Sequence, residues 1–428
     1  MTTSHRSDSR GIKEFFPVYL WIASFPFGIA TQNIVSGLVF LCLILKFVKL
    51  YFLSPQAKSG LTLIDQKQYW LVSIMTGFIL WTCIATWLNP GSTVTNILKF
   101  PPGYLLICFG PFLISNVYGQ FSPSEWKKFA RLTGIIVFIW GLVAISQYLF
   151  SWRVQGSRFI IEEANRPRGF YSHPLTFAYA SFFFWPLSVL LTIKNSRNIT
   201  SWLLFSGSGL CILLTQSRTI QAVAAMILLW NLWSHLKGKM RAALLLVLLA
   251  GSFSMFFIPN PVSEKFINTF NSKGVDLHSQ YPDDRLAFWH VHWMIGQERP
   301  VTGHGFQLNT AYRLPYYEKI GLEGFVKPYE AHNMYLQIWC NSGLIGLILF
   351  LIWILWQLQL FYKTDRHPPW FRHISIQTLS GFLLVSLTQN AFQDASVRMI
   401  LTMFMSACWM VVFARPIEPQ SKKAVSMV

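Results

Sequence analysis

The chain has 428 residues, of which 53% are hydrophobic and only 12% charged; soluble domains carry roughly 25% charged residues, so this composition excludes an ordinary soluble protein. The formal net charge of +18 comes from basic residues scattered singly between apolar runs. With no basic stripe and no RNA-type aromatic motif, it excludes a nucleic-acid partner. Six cysteines, at 42, 83, 108, 211, 340 and 408, all fall in apolar segments, which excludes a disulfide framework or a zinc site.

Met1–Lys13 is polar and basic and leads into an apolar run interrupted by Pro17 and Pro26. No small-x-small cleavage site follows, so a retained, kinked first span is expected. Crossing hydrocarbon takes roughly 20 apolar residues. Twelve runs approach that length, near 14–31, 34–53, 69–88, 99–118, 132–151, 174–193, 200–216, 219–235, 241–258, 333–361, 374–391 and 396–414. The seventh and eighth abut at Gln216-Ser217-Arg218 and read as a broken pair.

Between the ninth and tenth runs lies the one long polar stretch, residues 259–331, with eight acids, seven Lys/Arg, four His and twelve aromatics. Placing the N-terminus in the cytoplasm puts 21 of the 35 Lys/Arg in short inner loops and returns the C-terminus, with Lys422 and Lys423, to the same side. The chain then divides into spans one to nine (1–258), an outer loop or lid (259–331), spans ten to twelve (332–414) and a cytoplasmic tail (415–428). Arg166, Arg168, Arg218 and Arg398 fall on the outer side against the charge bias, which marks them as candidates for binding an anion.

Several segments could carry chemistry. In Thr215-Gln216-Ser217-Arg218-Thr219 an arginine at the edge of hydrocarbon calls for a partner or an anion, and its planar fork matches phosphate oxygens. Pro282-Asp283 starts a helix whose apolar stripe is Ala287, Phe288, Val291, Met294 and Ile295, with Arg285, Trp289 and His292 on another face and Pro300 and Gly303-His304-Gly305 ending it. Paired acids such as Asp283-Asp284 can ligate metals, but capping suits adjacent helical residues better. His332 enters the tenth run beside Asn333 and Tyr335, where an imidazole with an unperturbed pKa of about 6.5 suits a general base. Gly343 and Gly346 would let another helix pack closely. No acid lies in the middle of an apolar run, which argues against a proton-coupled transporter.

This ordered set resembles the O-antigen ligase and polymerase superfamily: Arg168-Gly169-Phe170-Tyr171-Ser172-His173-Pro174, then Gln216-Ser217-Arg218, then Arg285 with Trp289 and Pro300-Val301-Thr302-Gly303-His304-Gly305, then His332-Asn333 with Gly343 and Gly346. The last group fits the ligase pattern of His-Asn, nine residues, Gly, two residues and Gly. The resemblance covers nearly the whole chain. It implies an all-α polytopic membrane protein of about 12 spans with a helical periplasmic loop between spans nine and ten, similar to GT-C glycosyltransferases. It implies a bacterial inner-membrane enzyme with cytoplasmic termini and a periplasmic active site. The implied reaction is an inverting, metal-independent transfer of a glycan from undecaprenyl diphosphate to lipid A–core, with no cofactor. By the resemblance His332 is the base or the histidine that orients the acceptor, Arg218 and Arg285 hold the diphosphate with Arg166 or Arg168 as a further cation, and Asn333, Tyr335 and His304 support them. An apolar lateral groove would hold the polyprenyl tail. A polymerase on the same donor and a non-catalytic lipid-linked glycan transporter remain the alternatives.

Overall fold

The computed structural model describes residues 12–25, 27, 29–53, 64–89, 93–118, 123–152, 166–171, 173–243, 246, 284–306, 310–322, 330–363 and 369–413. Among these residues the fold is helical and has no strand. In chain order the helices are α1 (Ile12–Ser24), α2 (Ile29–Val48), α3 (Gln66–Trp87), α4 (Val94–Tyr118), α5 (Pro123–Phe150), α6 (Pro174–Phe182), α7 (Trp185–Lys194), α8 (Ile199–Leu214), α9 (Arg218–His235), α10 (Asp284–Glu298), α11 (Thr310–Lys319), α12 (Met334–Lys363), α13 (Pro369–Val385) and α14 (Ala395–Val412).

Seven segments among the described residues are long and apolar enough to cross a membrane: Ile29–Leu53, Gln66–Trp87, Phe100–Tyr118, Glu125–Phe150, Pro174–Lys194, Met334–Lys363 and Ala395–Val412. Each coincides with one expected run. Of the other five runs, 241–258 lies almost wholly outside the described residues. The remaining four correspond to α1, α8, α9 and α13, which are shorter or less apolar. The expected broken pair is present: α8 stops at Leu214 and α9 restarts at Arg218, with Gln216 in the left-handed region at φ 53°. The sixth run is one crossing-length segment, Pro174–Lys194, made of two helices, α6 and α7, joined by a turn at Phe183–Phe184 ahead of Pro186.

The lateral surface shows why such a chain needs lipid. On α2, Ile34, Leu38, Leu41 and Leu45 repeat at helical spacing and are all exposed. In water such a stripe is a sticky patch; in a bilayer it costs nothing. The protein is a multi-pass membrane protein. Inside, α5 packs on α8, α4 on α14, and α3 on α12. The α5–α8 contact needs glycine: a Cβ on Gly207 would lie 2.3 Å from the Val137 carbonyl oxygen.

Outside this bundle, α10 and α11 form a satellite core. Phe288, Val291 and Ile295 of α10 close against Tyr317 of α11 and Cys340 of α12. His292 belongs to that buried face, not to the polar face with Arg285 and Trp289 as its spacing suggested. Its Nδ1 lies 2.8 Å from the Phe288 carbonyl oxygen, and the Cys340 thiol donates to its own carbonyl at 2.9 Å. Buried polar groups are tolerable only with such partners.

Candidate functional site

The site is built around a break in α12. Gly343 has φ 63° and ψ −169° inside an otherwise helical run. That left-handed φ and extended ψ suit glycine alone. Segment 300–305 fills the break. Leu344 N–H donates to the Pro300 carbonyl, and the N–H groups of His304 and Gly305 donate to the carbonyls of Cys340 and Asn341, all at 2.8 Å. A Cβ on Gly343 would sit 2.1 Å from the Val301 carbonyl oxygen, and one on Gly303 would sit 2.5 Å from the Gly343 nitrogen. Gly343 is therefore not the helix-packing residue the spacing suggested. It opens α12 so that a loop can complete its hydrogen bonds. Gly346 does meet a neighbouring helix, at Trp81 of α3.

Segment 330–333 enters this broken helix. Asn333 caps α12, its Oδ1 accepting from the Tyr335 and Leu336 N–H groups at 3.0 Å. Tyr335 donates its hydroxyl to the Leu383 carbonyl at 3.0 Å. His332 is held at φ 46°, an uncommon conformation for a non-glycine residue and one worth a functional explanation. Its ring stacks on Phe288 with centroids 5.5 Å apart, and its Nδ1 lies 3.3 Å from Gln389 Oε1. With Nδ1–H donating to that amide oxygen, Nε2 carries the lone pair of the neutral ring.

Consecutive residues, His332 and Asn333, line two different cavities. One, of about 380 Å³, is polar and is lined by His332, Arg313, Glu330, Gln389 and Asp394 among others. The second, of about 830 Å³, is an open groove of mainly apolar side chains: Trp289, Trp293, Tyr335, Leu336, Trp339 and Leu387 among others. Asn333 lines the groove while its neighbour His332 lines the polar cavity. The indole Nε1 of Trp289, on the groove wall, is buried without a hydrogen-bond partner.

The arginines differ in kind. Arg218, the first residue of α9, is exposed and its guanidinium makes no hydrogen bond or ion pair among the described residues. The next residue, Thr219, accepts from the Thr388 hydroxyl at 2.9 Å, which ties this helix start to the loop carrying Gln389. Arg166 donates through Nε to the Thr215 carbonyl at 2.9 Å, so it too is anchored beside the α8–α9 break. Arg168 is buried, and both its backbone N–H and that of Gly169 donate to Gln147 Oε1 of α5. Arg285, half-buried on α10, lies close enough to the phenol of Tyr179, a wall of the polar cavity, to act on it electrostatically. Arg398, also outside the charge bias, is not an open anion site. It donates to the carbonyls of Gly103, Phe392 and Gln393 and lies 4.4 Å from the Tyr104 ring centroid.

His304 lines neither cavity. Its Nε2 lies 2.8 Å from the Ile295 carbonyl oxygen, its ring packs on Tyr312, and its carbonyl accepts from Asn89. Burial lowers its pKa and keeps it neutral. Burial likewise pushes His292 down to about 3. Arg313 is buried, which lowers its pKa, while nearby Glu330 opposes that shift; a guanidinium so placed stays charged.

Sequence reasoning missed Arg313, Gln389 and Asp394. Nothing in their local spacing marks them, because their roles come from three separate segments meeting. Asp394 caps α14 through the Ser396 and Val397 N–H groups and accepts from Thr176. Its position ahead of an apolar run is a legible cap signal, but not a sign that it walls a cavity.

Comparison with known proteins falls on this architecture. Residues 201–351 match the family model for O-antigen ligase. That O-antigen ligase segment runs from α8 to the middle of α12 and contains Arg218, Arg285, Arg313, His332 and Gly343. It leaves out Gln389 and Asp394, which line the polar cavity, and Arg166 and Arg168, which line neither cavity. A Rickettsia bellii (strain RML369-C) protein named "Putative polysaccharide ligase" is 24% identical over 284 residues, covering 63% of this chain and 63% of the relative. The matched region thus spans less than two thirds of that protein. An O-antigen ligase or polymerase type of function is supported.

Proposed function

We propose that this protein is an O-antigen ligase that moves a glycan from undecaprenyl diphosphate to the lipid A–core of lipopolysaccharide. The supporting observation is that neighbouring residues line an apolar groove, at Asn333, and a polar cavity, at His332. A lipid-linked sugar has the same two halves, with a diphosphate at the junction. The groove would take the polyprenyl tail and the polar cavity the reacting end.

In this scheme Nε2 of His332 removes the proton of the acceptor hydroxyl. The hydroxyl oxygen attacks the anomeric carbon from the face opposite the diphosphate, so the configuration inverts. The bond from that carbon to the diphosphate oxygen breaks, and the pair of electrons leaves on the diphosphate. Arg218 and Arg285, with Arg166 or Arg168 behind them, stabilise the developing charge. Gln389 keeps His332 in the basic tautomer. Charge stabilisation by fixed guanidinium groups gives a reaction that needs no metal ion. Residues 259–331 act as a lid that excludes water.

The same proposal places about twelve spans in the bacterial inner membrane, with both termini cytoplasmic and the site on the periplasmic face. Incubating the purified protein with lipid-linked donor and lipid A–core should give a slower-migrating conjugate. Donor translocation across vesicles without any conjugate would favour a transporter. Lengthening of the lipid-linked glycan itself would favour a polymerase.

A further inference from the structure

Five carboxamides line the polar cavity: Gln337, Asn341, Gln389, Asn390 and Gln393. Their hydrogen bonds can be followed atom by atom. Gln337 is engaged at both ends, accepting from the Ala331 N–H and donating to Asn341 Oδ1, each at 3.0 Å. Asn390 donates to Glu330 at 2.7 Å and to Gln393 Oε1 at 3.0 Å. Gln389 Oε1 faces His332. In three of the five the oxygen is thus engaged and the NH₂ group is not: Asn341, Gln389 and Gln393 make no hydrogen bond through nitrogen among the described residues. Asn390 Oδ1 is buried and also without a partner. Asn341 and Gln389 are 4% and 6% exposed, and their unbonded NH₂ nitrogens, unlike Asn390 Oδ1, are not fully buried, so they remain open to a ligand.

Three donors, each on a residue lining the cavity and held through its own oxygen, make a surface that fits a polyol. Such amides engage hydroxyl groups without demanding a charge. The cavity of about 380 Å³ lies at the low end of the roughly 300–1,000 Å³ of ligand sites, room for one sugar ring rather than a chain. The charged side chains that line it are one guanidinium, Arg313, and two carboxylates, Glu330 and Asp394, while Arg218 and Arg285 lie outside the lining. Arg313 faces Glu330 electrostatically, and Asp394 adds a further carboxylate to the wall.

We propose that this cavity is a recognition site for a single neutral sugar ring, held by the NH₂ groups of Asn341, Gln389 and Gln393. Glu330 and Asp394 select against a uronic acid. The inference rests on the glycosyl-transfer function proposed above. The ring is either the first sugar of the donor or the accepting sugar of the core, since both present the same hydroxyl chemistry.

The test uses the full-length purified protein and the variants Asn341→Ser, Gln393→Leu and Glu330→Gln. Gln393→Leu leaves Asn390 bonded to Glu330, and Asn341→Ser keeps a small polar group beside Gln337. Initial rates are measured with donor varied at saturating acceptor, then the reverse. The site predicts that Asn341→Ser and Gln393→Leu raise KM in one of the two arms by about tenfold, as expected for a lost buried hydrogen bond, with kcat changed much less. The affected arm identifies the source of the ring. Saturation-transfer NMR needs no turnover and keeps the two proposals apart. Methyl glucoside should show contact that Asn341→Ser and Gln393→Leu both remove, whereas methyl glucuronide should show contact only in Glu330→Gln. Transfer with both KM values unchanged in folded variants overturns the sugar site and leaves the transfer function standing. Contact by methyl glucoside that depends on Asn341 and Gln393, in a protein that forms no conjugate, does the opposite. Equal contact by methyl glucuronide in the unmodified protein overturns the selection against acids. Should Asn341→Ser lower the melting temperature, half-buried Gln393 alone decides.

Discussion

His332 Nδ1 lies 3.3 Å from Gln389 Oε1, a bond that joins the loop entering α12 to the loop leaving α13. In the proposed mechanism the pair sets which imidazole nitrogen is basic. Replacing Gln389 by Leu should cut kcat by about tenfold or more, as the loss of an orienting hydrogen bond does, with a smaller change in donor KM. Gln389→Glu, which still accepts from Nδ1–H, should recover most of the rate. Steady-state kinetics with a pH profile checks this, because a purely structural role would leave the profile unmoved.

The exposed Arg218 and the half-buried Arg285 can be separated from the structural arginine. Arg218→Ala and Arg285→Ala should weaken donor use, and Lys at either position should restore it only in part, since an ammonium cannot reproduce the bidentate fork. Arg398→Gln should instead lower the melting temperature, because three carbonyl acceptors and the Tyr104 contact are lost together. Donor titration beside a thermal melt distinguishes the two behaviours. Unchanged donor affinity in both alanine variants defeats the diphosphate assignment.

Gly343→Ala should destabilise the fold by ~3 kcal/mol or more, combining a left-handed strain with a clash against backbone. The new Cβ would sit 2.1 Å from the Val301 carbonyl oxygen, so relief requires segment 300–305 to leave the break in α12. Limited proteolysis of the outer segment should become faster. Gly37→Ala, where a Cβ meets nothing within 4 Å, is the matched control.

Acid should loosen the α10–α11 layer. Burial, with help from Arg313 and His332, holds His292 near 3 against a usual value of 6.5. The unfolded chain therefore takes up a proton below about pH 6.5 that the folded one refuses. Stability from this group is intact above that pH and falls as pH drops, by about 2 kcal/mol at pH 5. Hydrogen exchange in residues 284–298 at pH 7.5 and pH 5 should show the difference, and His292→Asn should flatten it. An equal slope in that variant contradicts the assignment.

The long apolar helices were legible because span length and composition are local properties. All seven segments among the described residues that are long enough to cross a membrane coincide with apolar runs in the sequence. The α8–α9 break was legible from Gln216-Ser217-Arg218 for the same reason. Gly343 was visible as a spaced glycine, but its function was not: only the docking of Pro300–Gly305 shows that α12 is opened there. His292 was misplaced because helical spacing gives a face but not what covers it, and here α12 does. Arg313, Gln389 and Asp394 escaped notice because the polar cavity joins segments far apart in sequence. His332 drew attention through its boundary position, and the structure adds the strain, the Phe288 stack and the Gln389 partner.

The most direct test is transfer by His332→Ala. The purified variant should insert, melt as the parent does and still bind lipid-linked donor through its intact groove, yet form no conjugate with lipid A–core. A variant that forms conjugate at the parental rate would show that His332 is not the base, and that the groove and the cavity on either side of it serve some other purpose.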